Sequence, residues 1–308
     1  MNITPQLAIC LMGPTASGKT QLAVELVQKY PLEIISVDSA MVYRGMDIGT
    51  AKPSADILKI APHHLLNIRD PLDAYSAAQF CEDATRVMQE IIARKKIPFL
   101  VGGTMLYFRA LQQGLAVMPA SNTELREKLF AEGEQKSWPV MHAHLVDIDP
   151  AAAKRIHPHD RQRIQRALEV YALTGKTIST LHDDATKNAT TFSYINFAMT
   201  TPEDRSLLHA RIAERFSQML AQGLIDEVKK LFERGDLSID TPAIRSVGYR
   251  QVWLYLQGKL SYDEMCAKAI IATRQLAKRQ LTWLRSWPGL TWISAEEKSQ
   301  LTDLFDTG

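Results

Sequence analysis

Apolar positions along this chain follow two periods. Short, mostly apolar runs of strand length occur at Leu7–Met12, Glu33–Val37 and Ile97–Val101, and an alternating run follows much later at Tyr194–Met199. Between and after them lie stretches whose apolar residues fall three and four apart, the period of a helix with one buried face. These cover residues 21–29 (Leu22, Ala23, Leu26, Val27), 77–94 behind a capping Ser76, 206–220, 225–234 and 262–287. A further short strand is expected over Leu65–Ile68. Strands alternating with such helices predict an α/β fold, a parallel sheet flanked by helices. After Leu115 the pattern changes: residues 121–134 and 150–174 read as charged helices with no strand between them, and 183–191 is polar like a linker. The expected organisation is therefore an α/β core from 1–116 and 191–308, with an inserted all-helical domain at 117–190.

Composition adds little to this and removes some function classes. Of 308 residues, 46% are hydrophobic and 23% charged, the mix of a globular protein. The net charge of +2 is too small to announce a nucleic-acid partner, so that signal must come from local clusters. No run approaches the roughly 18 apolar residues of a membrane span. No basic region precedes the first apolar run, so no signal peptide is expected. Cys10, Cys81 and Cys266 are scattered and odd in number, which excludes a disulfide framework or zinc site and suits a reducing cytoplasm. No membrane or protein partner is implied.

The strongest local chemistry is Gly13-Pro14-Thr15-Ala16-Ser17-Gly18-Lys19-Thr20, a match to G-x-x-x-x-G-K-[ST] between an expected strand and an expected helix. Glycines let successive backbone N–H groups converge on one cavity, and the helix N-terminus adds partial positive charge there. Lys19 brings a full charge, and the Thr20 hydroxyl is the usual magnesium ligand in such a loop. A phosphate or diphosphate site with Mg2+ follows.

The loop states what is held and leaves open what is done with it. Asp38 ends the second strand, where an open α/β sheet places its ligand crevice; magnesium ligand, general base and turn cap all suit it. The strand at 97–101 runs into Gly102-Gly103-Thr104, where a nucleoside triphosphatase would carry a magnesium-binding acid. Two glycines there permit close backbone approach to a ligand. Arg163 and Arg166 share a helical face that suits either phosphate tracking or plain solvation. His142/His144 and His157/His159 have no clustered third ligand and read as surface histidines. Arg211 and Arg215 lie four apart, which suits an anion or a salt bridge. Arg245, Tyr249 and Arg250 suit phosphate contact with base stacking. Arg274, Lys278, Thr282 and Arg285 form a stripe along the last long helix.

Six segments together, GPTASGKT, SVDSAMVYRGMDIGTAKP, LVGGTMLYF, RIHPHDRQRIQRALEV, IRSVGYRQ and ATRQLAKRQLTWLR, resemble the bacterial tRNA dimethylallyltransferases over nearly the whole chain, from Leu11 to about Arg285. The resemblance implies a phosphate-loop α/β core with an inserted helical domain, the two clamping the anticodon arm of a tRNA. It implies transfer of a dimethylallyl group from dimethylallyl diphosphate to the N6 amine of the adenosine 3′-adjacent to the anticodon. That base is flipped into a channel, and the donor enters from the opposite side. By the same motifs, Gly13 and Thr15 to Thr20 (Ala16, Ser17, Gly18, Lys19) with Arg215 bind the diphosphate, and Asp38 is the general base. The tRNA contacts are Asp38, Ser39, Ala40 and Met41, Thr104, Arg126, Gln162, Arg163, Ile164, Gln165 and Arg166, and Arg245, Ser246, Val247, Gly248, Tyr249 and Arg250.

Three rivals share the phosphate loop. A small-molecule kinase fits poorly with the Gly-Gly-Thr strand end. An isopentenyltransferase acting on AMP or ADP leaves the basic insertion without use. A nucleotide-switched RNA-binding module leaves Asp38 without a role.

Overall fold

The computed structural model describes residues 6–114, 116, 118–120, 122–185, 192–201, 205–294 and 299–306. Among the described residues six strands form one parallel sheet: β1 Gln6–Met12, β2 Leu32–Val37, β3 His63–His64, β4 Ile97–Gly102, β5 Phe192–Met199 and β6 Leu290–Ile293, in the order β3-β2-β4-β1-β5-β6. The inner strands are apolar on both faces because helices cover both. Cys10, Leu11 and Met12 of β1 and Ile34 and Ile35 of β2 are fully buried. A core of Ile9, Leu11, Leu22, Leu26, Ile34, Phe99, Val101 and Phe197 joins α1 (Lys19–Val27) to the sheet.

Two compact units emerge: residues 1–110 with 191–308, and residues 111–190. The first holds the sheet with α1, α2 (Ala55–Ile60), α3 (Ala77–Ala93), and the later helices α10 (Arg205–Ala221), α11 (Leu224–Glu233), α12 (Tyr249–Leu256), α13 (Tyr262–Arg285) and α14 (Ser299–Asp306). The break falls within α4 (Met105–Gln113), where the sequence pattern puts it near 116. A helix running through the junction leaves no polar or Gly-rich signal at the break itself. Expected boundary positions 115, 117, 121 and 186–191 lie outside the described residues.

The second unit is helical: α5 (Thr123–Lys136), α6 (Trp138–Ile148), α7 (Pro150–Arg155), α8 (Arg161–Thr174) and α9 (Ile178–Ala185). Its core joins Trp138, Met141, Leu145, Ile164 and Leu168. The stretch 150–174 is two helices where one is expected from the sequence. Pro158 breaks it, since proline disfavours helix in the residue before it and donates no N–H. Asp160 then caps α8 by accepting from the Arg163 N–H at 3.2 Å. The expected strand at 65–68 is also absent: Leu65 and Asn67 take positive φ (63° and 57°), and only His63–His64 pair with β2.

Candidate active site

Three motifs of the first unit lie at the carboxyl ends of strands. The phosphate loop leaves β1, Asp38 leaves β2, and Gly103-Thr104 leave β4, so the sheet brings residues distant in sequence into one crevice. A cavity of about 670 Å³ joins them. Thr15, Lys19, Thr20, Asp38, Ser39, Thr104, Arg215 and Ser246 to Gly248 line it.

In the loop, Ala16 (φ 62°) and Gly18 (φ 84°) take left-handed conformations that turn the chain into α1. A left-handed alanine costs energy that the surrounding loop must hold in place. Gly13 admits Ser17 beneath it, since a Cβ there would stand 2.7 Å from the Ser17 hydroxyl oxygen. The Ser17 hydroxyl is buried without a hydrogen-bond partner. Lys19 as a residue is half-buried, but its ammonium is withdrawn from water and donates to the Pro14 carbonyl at 3.2 Å. Burial, with Arg215 adding repulsion and Asp38 opposing both, lowers its pKa from 10.5 to about 8. Burial likewise pulls Arg215 below the usual guanidinium range, with Asp38 again opposing. Two partly desolvated cations beside a helix N-terminus form a site short of negative charge.

Asp38 caps the turn that follows it. One carboxylate oxygen, Oδ1, accepts from the Ala40 and Met41 N–H groups at 2.8 and 3.2 Å. Its other oxygen takes no hydrogen bond from the described residues. The cap reading is therefore true of one oxygen and leaves the other for chemistry. Thr104 holds the same turn: its Oγ1 accepts from the Ser39 N–H at 3.1 Å. The two glycines before it line the same cavity, and the space their missing side chains leave is taken up by protein. A Cβ on Gly102 would stand 2.1 Å from the Val37 carbonyl oxygen, and one on Gly103 would stand 2.5 Å from the Gln280 amide nitrogen.

Residues that sequence patterns did not single out complete the walls. Ile212, Phe216 and Met219 of α10, with Leu276 and Trp283 of α13, add apolar lining. Lys52 also lines the cavity; its ammonium donates to the Tyr43 carbonyl, Asp47 and Asn67 and so ties the 43–52 loop together. Burial lowers its pKa, and Asp47 counteracts this. Glu227 of α11 grips the same loop. Its carboxylate accepts from the N–H groups of Asp47, Ile48 and Gly49 at 2.8, 2.8 and 3.1 Å, and from the Tyr249 hydroxyl. Gly49 is required there, because a Cβ would stand 2.5 Å from the Tyr249 ring.

Tyr249 is thus fully buried and unable to stack on a base. Arg245 and Arg250 beside it are exposed, Arg245 reaching Asp240 at 3.2 Å. The α13 stripe of Arg274, Lys278, Thr282 and Arg285 lies along a second cavity of about 510 Å³, with Leu208, His209 and Thr201.

In the second unit Ile164 is core and presents no side chain to a partner. Arg126 and Arg166 converge on the buried Glu169, at 3.0 and 2.7 Å, and the Asn122 N–H joins them at 2.9 Å. Arg166 also donates to the Pro119 carbonyl, and Gln165 to that of Arg126. Gln162 and Arg163 are exposed, with Arg163 3.5 Å from Asp160. Of the four arginines and glutamines at 162–166, then, two face solvent and two hold the helices together.

A family model described as IPP transferase matches residues 41–287. The chain is 54% identical over 303 residues to tRNA dimethylallyltransferase 2 of Hahella chejuensis, covering 94% of this chain and 91% of that one. It is 57% identical over 290 residues to the tRNA dimethylallyltransferase of Thioalkalivibrio sulfidiphilus, covering 94% and 90%. Among solved structures, the tRNA isopentenylpyrophosphate transferase of Bacillus halodurans superposes with a TM-score of 0.71 at 36% identity, over 99% of this chain and 96% of that one. A eukaryotic dimethylallyltransferase acting on tRNA superposes with a TM-score of 0.78 at 28% identity, over 98% and 77%.

Proposed function

This chain belongs to the IPP transferase family, and on that premise we propose that it transfers a dimethylallyl group from dimethylallyl diphosphate to tRNA. The acceptor is the N6 amine of the adenosine 3′-adjacent to the anticodon, and diphosphate is released. One observation carries the reading. A single cavity joins a cationic loop for a diphosphate, an apolar wall for a prenyl chain, and a carboxylate with one unengaged oxygen.

The chemistry follows from these groups. The allylic C–O bond breaks, its electron pair leaves on the diphosphate, and the carbon gains positive character. Negative charge growing on the leaving group meets loop N–H groups, Lys19 and Arg215, already desolvated and in place. The adenine amine is a poor nucleophile because its lone pair is shared with the ring. Asp38 accepts a hydrogen bond from that amine and takes its proton as the N–C bond forms, a role typically worth about 10²–10⁴-fold.

The residues present fit Mg2+. Among the described residues no group of three His, Cys, Asp or Glu side chains forms a cage of its own. Magnesium is commonly held by one or two protein oxygens together with phosphate oxygens and water. The Thr20 hydroxyl would hold it, with Asp38 in the same cavity. Once bound, it would add positive charge against the leaving diphosphate.

The RNA is met by exposed polar and cationic side chains. Arg245 and Arg250 serve this in the first unit, and Gln162 and Arg163 in the second. Arg126, Gln165 and Arg166 act as much on their own helices as on RNA, while Ile164 and Tyr249 hold their segments in shape from inside. Ser39 to Met41, Thr104 and Ser246 to Gly248 border the cavity where the base would enter. A loop adenosine costs less to unstack than a paired one.

The test is incubation with radiolabelled dimethylallyl diphosphate and either bulk tRNA or AMP. Label should pass to tRNA. Label on AMP alone would give the protein a mononucleotide acceptor instead.

A further inference from the structure

Gln280 lies in the last two turns of α13, lines the cavity and is 9% exposed. Its amide is bonded at both ends to backbone of distant elements. Oε1 accepts from the Thr15 N–H of the phosphate loop at 3.0 Å, and Nε2 donates to the Gly103 carbonyl at the end of β4 at 2.8 Å. Gly103 has no side chain at the one place where a side chain would collide with that amide, 2.5 Å away. The grip reaches further. The next residue, Thr104, donates its N–H to the Val37 carbonyl at 3.2 Å and accepts from Ser39. Ser39 follows Asp38 in the turn that the Asp38 carboxylate caps. Hydrogen bonds joined by peptide links thus connect the diphosphate loop through Gln280 to the end of β4, and through Thr104 and Ser39 to Asp38.

From this we propose that Gln280 is a positioning residue, setting the spacing between the diphosphate loop and Asp38 and hence between donor carbon and acceptor nitrogen. The proposal rests on the prenyl-transfer reading above. Glutamine suits the task because one amide supplies the acceptor and the donor that the two backbone groups need. No charged or apolar side chain of this length offers both. In-line attack is sensitive to such spacing: a displacement of about 1 Å costs on the order of 10²-fold. The Thr15 N–H is also engaged by the protein before any ligand arrives, so the loop is shaped from the α13 side.

Two substitutions test this. Gln280→Met keeps the length and loses both bonds; Gln280→Glu keeps the acceptor for Thr15 and loses the donor for Gly103. The full-length protein is used, with inorganic diphosphate as the probe for the loop and tRNA for the acceptor. The diphosphate affinity of the neutral Gln280→Met and the tRNA affinity of both variants should stay within about threefold of wild type, while the single-turnover rate with both substrates saturating falls by on the order of 10²-fold. A merely structural role would move the melting temperature and both affinities together. Should Gln280→Met not fold, Gln280→Glu decides alone. A rate within threefold of wild type in either folded variant overturns the proposal. So does a rate loss in Gln280→Met that parallels weakened diphosphate binding, which would make Gln280 part of the anion site. Failure of the wild-type protein to label tRNA would overturn the functional reading, and it is seen before any variant is made.

Discussion

Lys19 should destabilise the protein that it serves. The drop of its pKa from 10.5 to about 8 means that holding the charged form in the ligand-free fold costs about 3 kcal/mol. A lysine whose folded pKa is lowered binds fewer protons folded than unfolded. The cost is therefore present in full below pH 8, fades between 8 and 10.5, and is gone above. Lys19→Met removes the charge and keeps most of the stem. It also loses the bond to the Pro14 carbonyl, worth about 1 kcal/mol. The ligand-free variant should be more stable at pH 7 by about 2 kcal/mol, a rise in midpoint of roughly 4–8 °C for a unit of this size. The advantage should shrink as pH approaches 10.5. Addition of inorganic diphosphate should then reverse the order, stabilising wild type and leaving the variant unmoved. Calorimetry supplies an independent check. At pH 8 half of the free protein's Lys19 is charged, so diphosphate binding should take up about half a proton more in wild type than in Lys19→Arg, whose guanidinium does not titrate. A ligand-free Lys19→Met that melts below wild type at pH 7 would refute the reasoning.

Three further outcomes are expected. Asp38→Asn keeps the acceptor for Ala40 and Met41, so the turn and tRNA binding should survive while the single-turnover rate falls about 10²–10⁴-fold; rescue by excess magnesium would move Asp38 from base to metal ligand. Arg163→Ala should lower the log–log salt slope of tRNA binding by roughly 0.7–0.9 with no change in melting, whereas Arg166→Ala removes a bond to the buried Glu169 and should cost roughly 1.5–3 kcal/mol of stability in the helical unit; equal melting of the two variants would contradict this division. Glu227→Gln turns amide hydrogens toward N–H donors, so KM for tRNA should rise roughly tenfold, the equivalent of about 1.4 kcal/mol, with diphosphate affinity unchanged; unchanged kinetics would mean that the loop keeps its shape without Glu227.

The legible parts of the chain were those whose signal is local. The phosphate loop is written in eight consecutive residues, and the strand that precedes it needs only its own apolar run. Asp38 could be placed because it ends such a run. Gln280, Glu227 and Lys52 gave no comparable sign. Gln280 meets Thr15 across 265 residues and Glu227 meets Gly49 across 178, so their roles exist only once the sheet is assembled. Tyr249 misled for the opposite reason: an aromatic between exposed arginines suits a nucleic-acid face, yet Glu227 draws it into the core. The helical face around Arg166 gave no sign of its second task, which is to pair with the buried Glu169 three residues on. The short β6 went unseen because four residues, three of them apolar, carry too little periodicity, and of the two-turn α12 only a loop or helix start over 244–250 could be read.

The strand order also bears on how the protein is made. β1 lies between β4 and β5, and Ile9 pairs with Phe99 on one side and Ile195 on the other. A chain emerging from the ribosome can close the first edge once β4 is out. The second stays open while the whole helical unit is translated, roughly 5–20 s at common elongation rates. During that time β1 presents a bare row of N–H and C=O groups beside some of the most apolar sequence in the molecule, the kind of edge that recruits other chains. A nascent chain halted near residue 190 should therefore bind a general chaperone more strongly than one halted past Met199.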